Sequence, residues 1–164
     1  MSVTRILIAI GALLVLGAVN YSILGKERIK RDGQVIYLDL APVDPRSLMQ
    51  GDYMTLRFRL ADEIRSTLRR PGSAERPREG EQRIAQIALD PRGVASLARL
   101  PGGETHRLRY RIRRDGVWLG TNAFFFEEGS EQRYAAARFG EFRLDRESGE
   151  AVLVGLRDAR LQPL

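Results

Sequence analysis

The run "ILIAIGALLVLGAVNYSIL", Ile6 to Leu24, holds nineteen consecutive residues without a charge. At about 1.5 Å rise per residue, a helix of that length crosses a hydrocarbon core of roughly 30 Å. The run divides the chain into an apolar anchor, residues 1–25, and one soluble domain, residues 26–164. A cleaved secretory signal needs a shorter apolar core and small residues at minus three and minus one. Cutting after Ala18 would leave Leu16 at minus three, and the apolar run continues past that point to Leu24. The expectation is an uncleaved single-pass transmembrane helix, with Asn20 and Tyr21 near the interface.

Charge flanking the run bears on orientation. Arg5 precedes it, whereas Lys26, Arg28, Lys30 and Arg31 follow it, offset by Glu27 and Asp32. Counted literally, the excess of basic residues after the span places the domain in the cytoplasm. The segment before the span is only five residues long, however, and such tails stay inside in signal anchors. The domain is expected on the periplasmic side, with residues 6–24 in lipid and the basic run 26–31 against anionic headgroups.

Composition excludes several chemistries. The chain has 164 residues and no cysteine, so disulfides, thiolate metal sites and cysteine nucleophiles are out. The sole histidine, His106, rules out multi-histidine metal sites and reads as a structural or exposed residue. Without residues 1–25 the count falls by Arg5, from 27 to 26 Lys plus Arg against 21 Asp plus Glu, a net +5. These charges are interleaved, and no Gly-rich phosphate loop is present, so neither nucleic acid nor a small-molecule ligand is expected as a partner. No cofactor and no metal site is expected either.

Beyond the anchor the dominant period is two. In "QVIYLDL", Ile36, Leu38 and Leu40 share one face, and in "RLRYRIRR" Leu108, Tyr110 and Ile112 alternate with arginines. Asp115-Gly116 predicts a hairpin into "VWLGTNAFFF", read as one strand. "RIAQIALD" is a further strand, and "EFRLD" with "AVLVGL" makes a C-terminal hairpin. Two short helices are predicted, one in "LADEIRSTLRR" with Ile64 and Leu68 on a face, the other in "GSEQRYAAARFG" capped by Ser130. A flexible loop is expected near residues 69–82. The expected fold is mainly β, a small antiparallel barrel or sandwich, with these helices and the N-terminal span. "YLDLAPVDPRSL" and "QIALDPRGVASL" echo each other faintly through their Asp-Pro-Arg turns, too little to establish a repeat.

The stretch "DPRSLMQGDYMTLRF", Asp44 to Phe58, combines a polar turn with an alternating strand. Alternation directs Met54, Leu56, Phe58 and Leu60 inward, and Tyr53, Thr55, Arg57 and Arg59 outward. These residues resemble the bacterial GDYXXLXY family, with the motif standing as Gly51, Asp52, Tyr53, Leu56 and Phe58. The final tyrosine of the pattern is phenylalanine in this chain, which suggests a core role for position 58. The resemblance extends to "VNYSILGKE" and to "FFFEEGSEQRYAAARFGEFRL". It implies a membrane-anchored bacterial envelope protein, encoded beside polytopic membrane proteins, and no particular reaction.

Enzyme readings are thin. "SLMQGD" is similar in outline to the serine region of signal peptidase, but that chemistry needs a lysine base downstream of the serine. The only lysines, Lys26 and Lys30, are upstream. No catalytic residue is assigned. The candidate binding residues are Asp52, Tyr53, Glu127 and Glu128, which converge if the two motif blocks share one end of the barrel. In "VWLGTNAFFF", Phe125 shares a face with Val117 and Leu119, while Phe124 and Phe126 share the other with Trp118. A strand apolar on both faces must be covered on both. The expected function is an accessory or assembly subunit that binds a polytopic inner-membrane partner; the alternative is an envelope hydrolase using Asp52 with Glu127 and Glu128.

Overall fold

The computed structural model describes residues 3–41, 49–50, 53–69, 78–98 and 104–164. The apolar run forms the first two-thirds of one helix, α1 (Val3–Asp32), thirty residues long. It is long and apolar enough to cross a membrane, and none of its most apolar window is covered by the rest of the chain. Within that stretch the one amide, Asn20, donates to the Leu16 carbonyl at 2.9 Å, so its polar group is satisfied inside the helix.

The helix does not stop at Gly25, where the sequence suggested the anchor would end. It continues through the basic run, and Ile29 is buried against the domain, where α1 packs on two strands, β9 (Phe139–Leu144) and β10 (Ala151–Arg157). Lys26 pairs with Glu150 in the turn between those strands. Two further cations of the run pair locally: Lys30 with Glu27 at 3.2 Å, and Arg31 with Asp32 at 3.0 Å.

The domain is mainly β, built from three antiparallel sheets that curl as an open half-barrel around one core. In the first, β1 (Gln34–Asp39) and β10 flank β9. The second has the order β5 (Ala95–Leu97), β4 (Gln82–Leu89), β6 (His106–Arg113), β7 (Gly116–Trp118). A bridge between Tyr37 and Val94 joins these two sheets, and the Arg109 N–H, donating to the Gly149 carbonyl, ties β6 to the β9–β10 turn. The third is small: β2 (Met49–Gln50), β3 (Tyr53–Thr55) and β8 (Ala123–Phe125).

Alternation explains the longer strands. Ile36, Leu38, Leu108, Tyr110 and Ile112 are all buried, with the arginines of β6 on the outer face. The Asp115-Gly116 hairpin forms as expected, pairing Arg113 with Gly116. The C-terminal hairpin also forms, with one irregularity between Leu153 and Gly155.

Three expected elements differ. "VWLGTNAFFF" is two strands in two sheets, because the chain bends between them at Gly120. This residue has φ of 90°, and a Cβ there would meet the Ala151 carbonyl oxygen at 2.7 Å. The strand predicted through Leu60 ends its ladder at Thr55. Its backbone stays extended to Phe58, which bridges Leu40, and α2 (Arg59–Leu68) begins at once. The helix thus starts one residue before "LADEIRSTLRR" and buries Leu60, Ala61 and Ile64, the leucine and isoleucine each contributing roughly 1.5–3 kcal/mol. The third is "GSEQRYAAARFG", which gives only one turn, α3 (Glu131–Tyr134), without a side-chain cap from Ser130. The chain must leave the helix there, because the Arg138 N–H donates to Arg157 and its carbonyl receives the Leu40 N–H.

Of the loop expected near 69–82, residues 70–77 lie outside the described residues, and β4 already begins at Gln82. Only the second half of the Asp-Pro-Arg echo is described. Asp90 Oδ1 accepts from the N–H groups of Arg92 and Val94 at 2.8 and 2.9 Å, which is local turn chemistry.

Candidate functional site

The two blocks singled out in the sequence meet directly. β3 carries the motif and pairs antiparallel with β8, placing Tyr53 opposite Phe125, Met54 opposite Phe124 and Thr55 opposite Ala123. Neither block announces the other: the partners are some seventy residues apart in the chain, and no charge or spacing signal links them.

Leu56 and Phe58, the inner positions of the motif, are core. Phe58 is 3% exposed and meets the Phe142 ring edge-on at 5.4 Å. Both rings lie over Gly140 in the central strand β9, where a Cβ would come within 3.0 Å of each. The glycine leaves room for the stack. Tyr53 is half-buried and not simply outward, its ring 5.8 Å from that of Phe125. Gly51, Asp52 and Asp44 lie outside the described residues.

Glu127 and Glu128 follow β8 and are exposed. The Glu127 carbonyl accepts the Ser130 N–H, which makes the turn into α3. Among the described residues no group of three His, Asp or Glu side chains could hold a metal ion. His106 sits at the start of β6, its ring largely covered and Nε2 3.8 Å from Glu104.

The three phenylalanines at 124–126, in β8 and just after it, divide differently from the sequence reading. Phe126 is buried and Phe124 partly so, both against Tyr134 of α3 with ring centroids 5.3 and 5.1 Å apart. Phe125, expected to share a face with Leu119, is instead 74% exposed while Leu119 is fully buried. The bend at Gly120 changes the facing of everything after it. An exposed phenylalanine beside a half-buried tyrosine is, among the described residues, the chief apolar feature outside α1.

A groove of about 810 Å³ runs from Phe124 and Phe125 past Trp118 and the outer face of β6 to Lys26 and Glu150. Among the described residues its cations are Lys26, Arg109, Arg111 and Arg113, and its one carboxylate is Glu150. Burial first, and then the charge of Arg109, push the Lys26 ammonium below its usual range; Lys26 lies beyond the apolar stretch.

The β9–β10 turn that clasps α1 is itself held by a carboxylate. Asp145 Oδ1 accepts from the N–H groups of Glu147 and Ser148 at 2.8 and 3.1 Å. The Ser148 bond, foremost, holds the Asp145 carboxyl below the usual range. A depressed folded-state pKa stabilises the fold above the unfolded value of about 4 and ceases to do so as pH falls through the folded value. We expect the melting temperature of the full chain in detergent to fall between about pH 5 and about pH 2, and to fall less in Asp145→Asn. An unchanged pH profile in that variant would show that the turn is held by other contacts.

A family model described as GDYXXLXY protein matches residues 15–156. No curated protein and no solved structure matches the chain significantly.

Proposed function

The chain belongs to the GDYXXLXY protein family, and from that premise we propose that it is a single-pass subunit of the bacterial inner membrane that binds a polytopic membrane partner. Its domain sits on the periplasmic side. The observation that carries this reading is the junction between helix and domain. α1 is continuous from its apolar stretch to Asp32, and its last turns are locked to the domain by buried Ile29 and by the Lys26–Glu150 pair. A flexible tether would need neither. A rigid junction holds the domain at one height and one rotation relative to the bilayer, which suits a protein that must present a face to a membrane-embedded neighbour.

The face best suited to that neighbour is the β3–β8 patch. Phe125 is a large aromatic side chain left in water, next to Tyr53, and β8 is an edge strand of its sheet among the described residues. Aromatic anchors of this kind dominate protein interfaces. Copurification from the native membrane in mild detergent tests the reading. The full chain is expected to bring down a protein with several spans, and Phe125→Ser to lose it while keeping the melting temperature, since that side chain buries little. Purification of the wild-type chain alone, or full retention by Phe125→Ser, would overturn the proposal.

A further inference from the structure

The basic groove makes a second prediction, one that does not depend on a protein partner. Arginines occupy alternate positions of β6, so Arg107, Arg109, Arg111 and Arg113 share its outer face. Their partners differ. Arg107 and Arg109 donate to the Glu147 and Ser148 carbonyls of the β9–β10 turn, at 3.4 and 3.0 Å. Among the described residues, the side chain of neither Arg111 nor Arg113 donates to a carboxylate or a carbonyl.

Arg113 lies with its guanidinium 5.4 Å from the centre of the Trp118 ring, and its Nε is buried with no acceptor. A buried donor without an acceptor costs free energy unless a ligand or water supplies one. Trp118 turns its own Nε1 to Asp115 at 3.1 Å, leaving the ring as a wall.

The groove's position says which anion is close at hand. Lys26 lines it and comes two residues after Leu24, the end of the apolar run. A second cleft, lined by Tyr21, Ser22 and Lys26 of α1 and by Arg146 and Glu147, sets the β9–β10 turn against the same stretch of helix. The end of the groove marked by Lys26 and Glu150 therefore lies where the helix leaves the hydrocarbon. Phe124, Phe125 and Leu153 add apolar lining to the groove.

We propose that this groove holds the phosphodiester headgroup of an anionic phospholipid from the leaflet out of which α1 emerges, with Arg111 and Arg113 as its donors. Guanidinium–phosphate bonds are charge-assisted and matched in shape. Glu150 is already engaged by Lys26 and opposes the anion little.

The test is native mass spectrometry of the full chain in neutral detergent, titrated in parallel with phosphatidylglycerol and phosphatidylcholine. The wild-type chain is expected to retain phosphatidylglycerol preferentially. Arg111→Gln with Arg113→Gln is expected to lower that retention about twenty-fivefold, taking each basic side chain at a lipid surface as worth about fivefold. Lys30→Gln with Arg31→Gln, on the helix outside the groove, is expected to leave most of the preference intact. Equal uptake of the two lipids, or full retention by the Arg111 and Arg113 double variant, overturns the proposal. Loss confined to the Lys30 and Arg31 variant assigns the headgroup to the helix and overturns it as well. Displacement of the lipid by inorganic phosphate shows a site for free phosphate, and the lipid assignment fails.

Discussion

Phe58→Ala should lower the stability of the domain by about 3–5 kcal/mol, the range for deleting a buried phenylalanine. The reason lies in what the ring touches. Phe58 closes the family motif, bridges Leu40 on the end of β1, and stands edge-on to Phe142, which is fully buried at the centre of β9. It is also the N-cap residue of α2, with extended backbone, so it fixes where the strand ends and the helix begins. Removing the ring leaves a cavity between two sheets and a helix. Gly140 beneath it offers no side chain to collapse into the space. Phe58→Tyr, which restores the residue type of the family pattern, is expected to cost far less if the hydroxyl reaches an acceptor, and more if it is buried without one. Denaturant unfolding of the full chain in micelles distinguishes these. A loss under about 1 kcal/mol for Phe58→Ala would mean the motif's last position is not core.

The second large effect concerns a charge. Glu141, in the central strand β9, is 5% exposed and is engaged by Arg157 of β10, with Arg143 at 3.8 Å. A buried ion pair contributes little net stability, because desolvation opposes its attraction, but breaking it strands the remaining charge. Arg157→Leu is therefore expected to cost about 3–5 kcal/mol, less whatever Arg143 recovers by moving closer. Replacing both partners, Glu141→Leu with Arg157→Leu, should restore most of the loss, since no buried carboxylate is left uncompensated. Thermal melts of the two variants decide the matter. A double variant no better than Arg157→Leu alone would show that the arginine acts through packing of its stem and not through the charge.

How legible this was in the sequence depended on whether one face of each element is wet. The strands at Gln34–Asp39 and His106–Arg113 alternate cleanly because their outer positions meet solvent, and the pattern transmits itself. α2 was recognisable from Ile64 and Leu68 on one face, though its start was not. Leu60 fits the alternation of the preceding strand and the helical face equally well, so periodicity could not place the boundary. "VWLGTNAFFF" misled for the opposite reason. It is apolar throughout, so the pattern carries no phase, and the turn residues Gly120, Thr121 and Asn122 were the one signal that the chain changes sheets. The Thr121 hydroxyl marks that turn, accepting from the Ala123 N–H at 3.2 Å.

The candidate site was only half readable. That Leu56 and Phe58 are buried followed from alternation, as did the outer row of arginines on β6. Their assembly did not. The pairing of Tyr53 with Phe125 is a contact of tertiary structure, and the groove exists because β6, β8 and β10 come together around it. The carboxylates at 127 and 128 attracted notice as charges, whereas the more telling charged residues, Arg111 and Arg113, looked like an ordinary solvated face. Single-strand patterning cannot separate a solvated arginine from one aimed into a groove. Likewise, the end of the apolar run marked a change of solvent and not the end of the helix. The junction that supports the functional reading was hidden inside a charged sequence with ordinary helical pairs.

The absence of cysteine from the chain makes its central claim directly measurable. Phe125→Cys in whole cells, treated from outside the inner membrane with a membrane-impermeant thiol-reactive cross-linker, should form an adduct with a polytopic membrane protein. Arg160→Cys, on an exposed turn outside the patch, should be labelled without forming it. That pair of results would place the domain in the periplasm and the β3–β8 face against its partner. Absence of labelling at both positions would put the domain on the other side of the membrane, and labelling at both with no adduct at 125 would contradict the docking face.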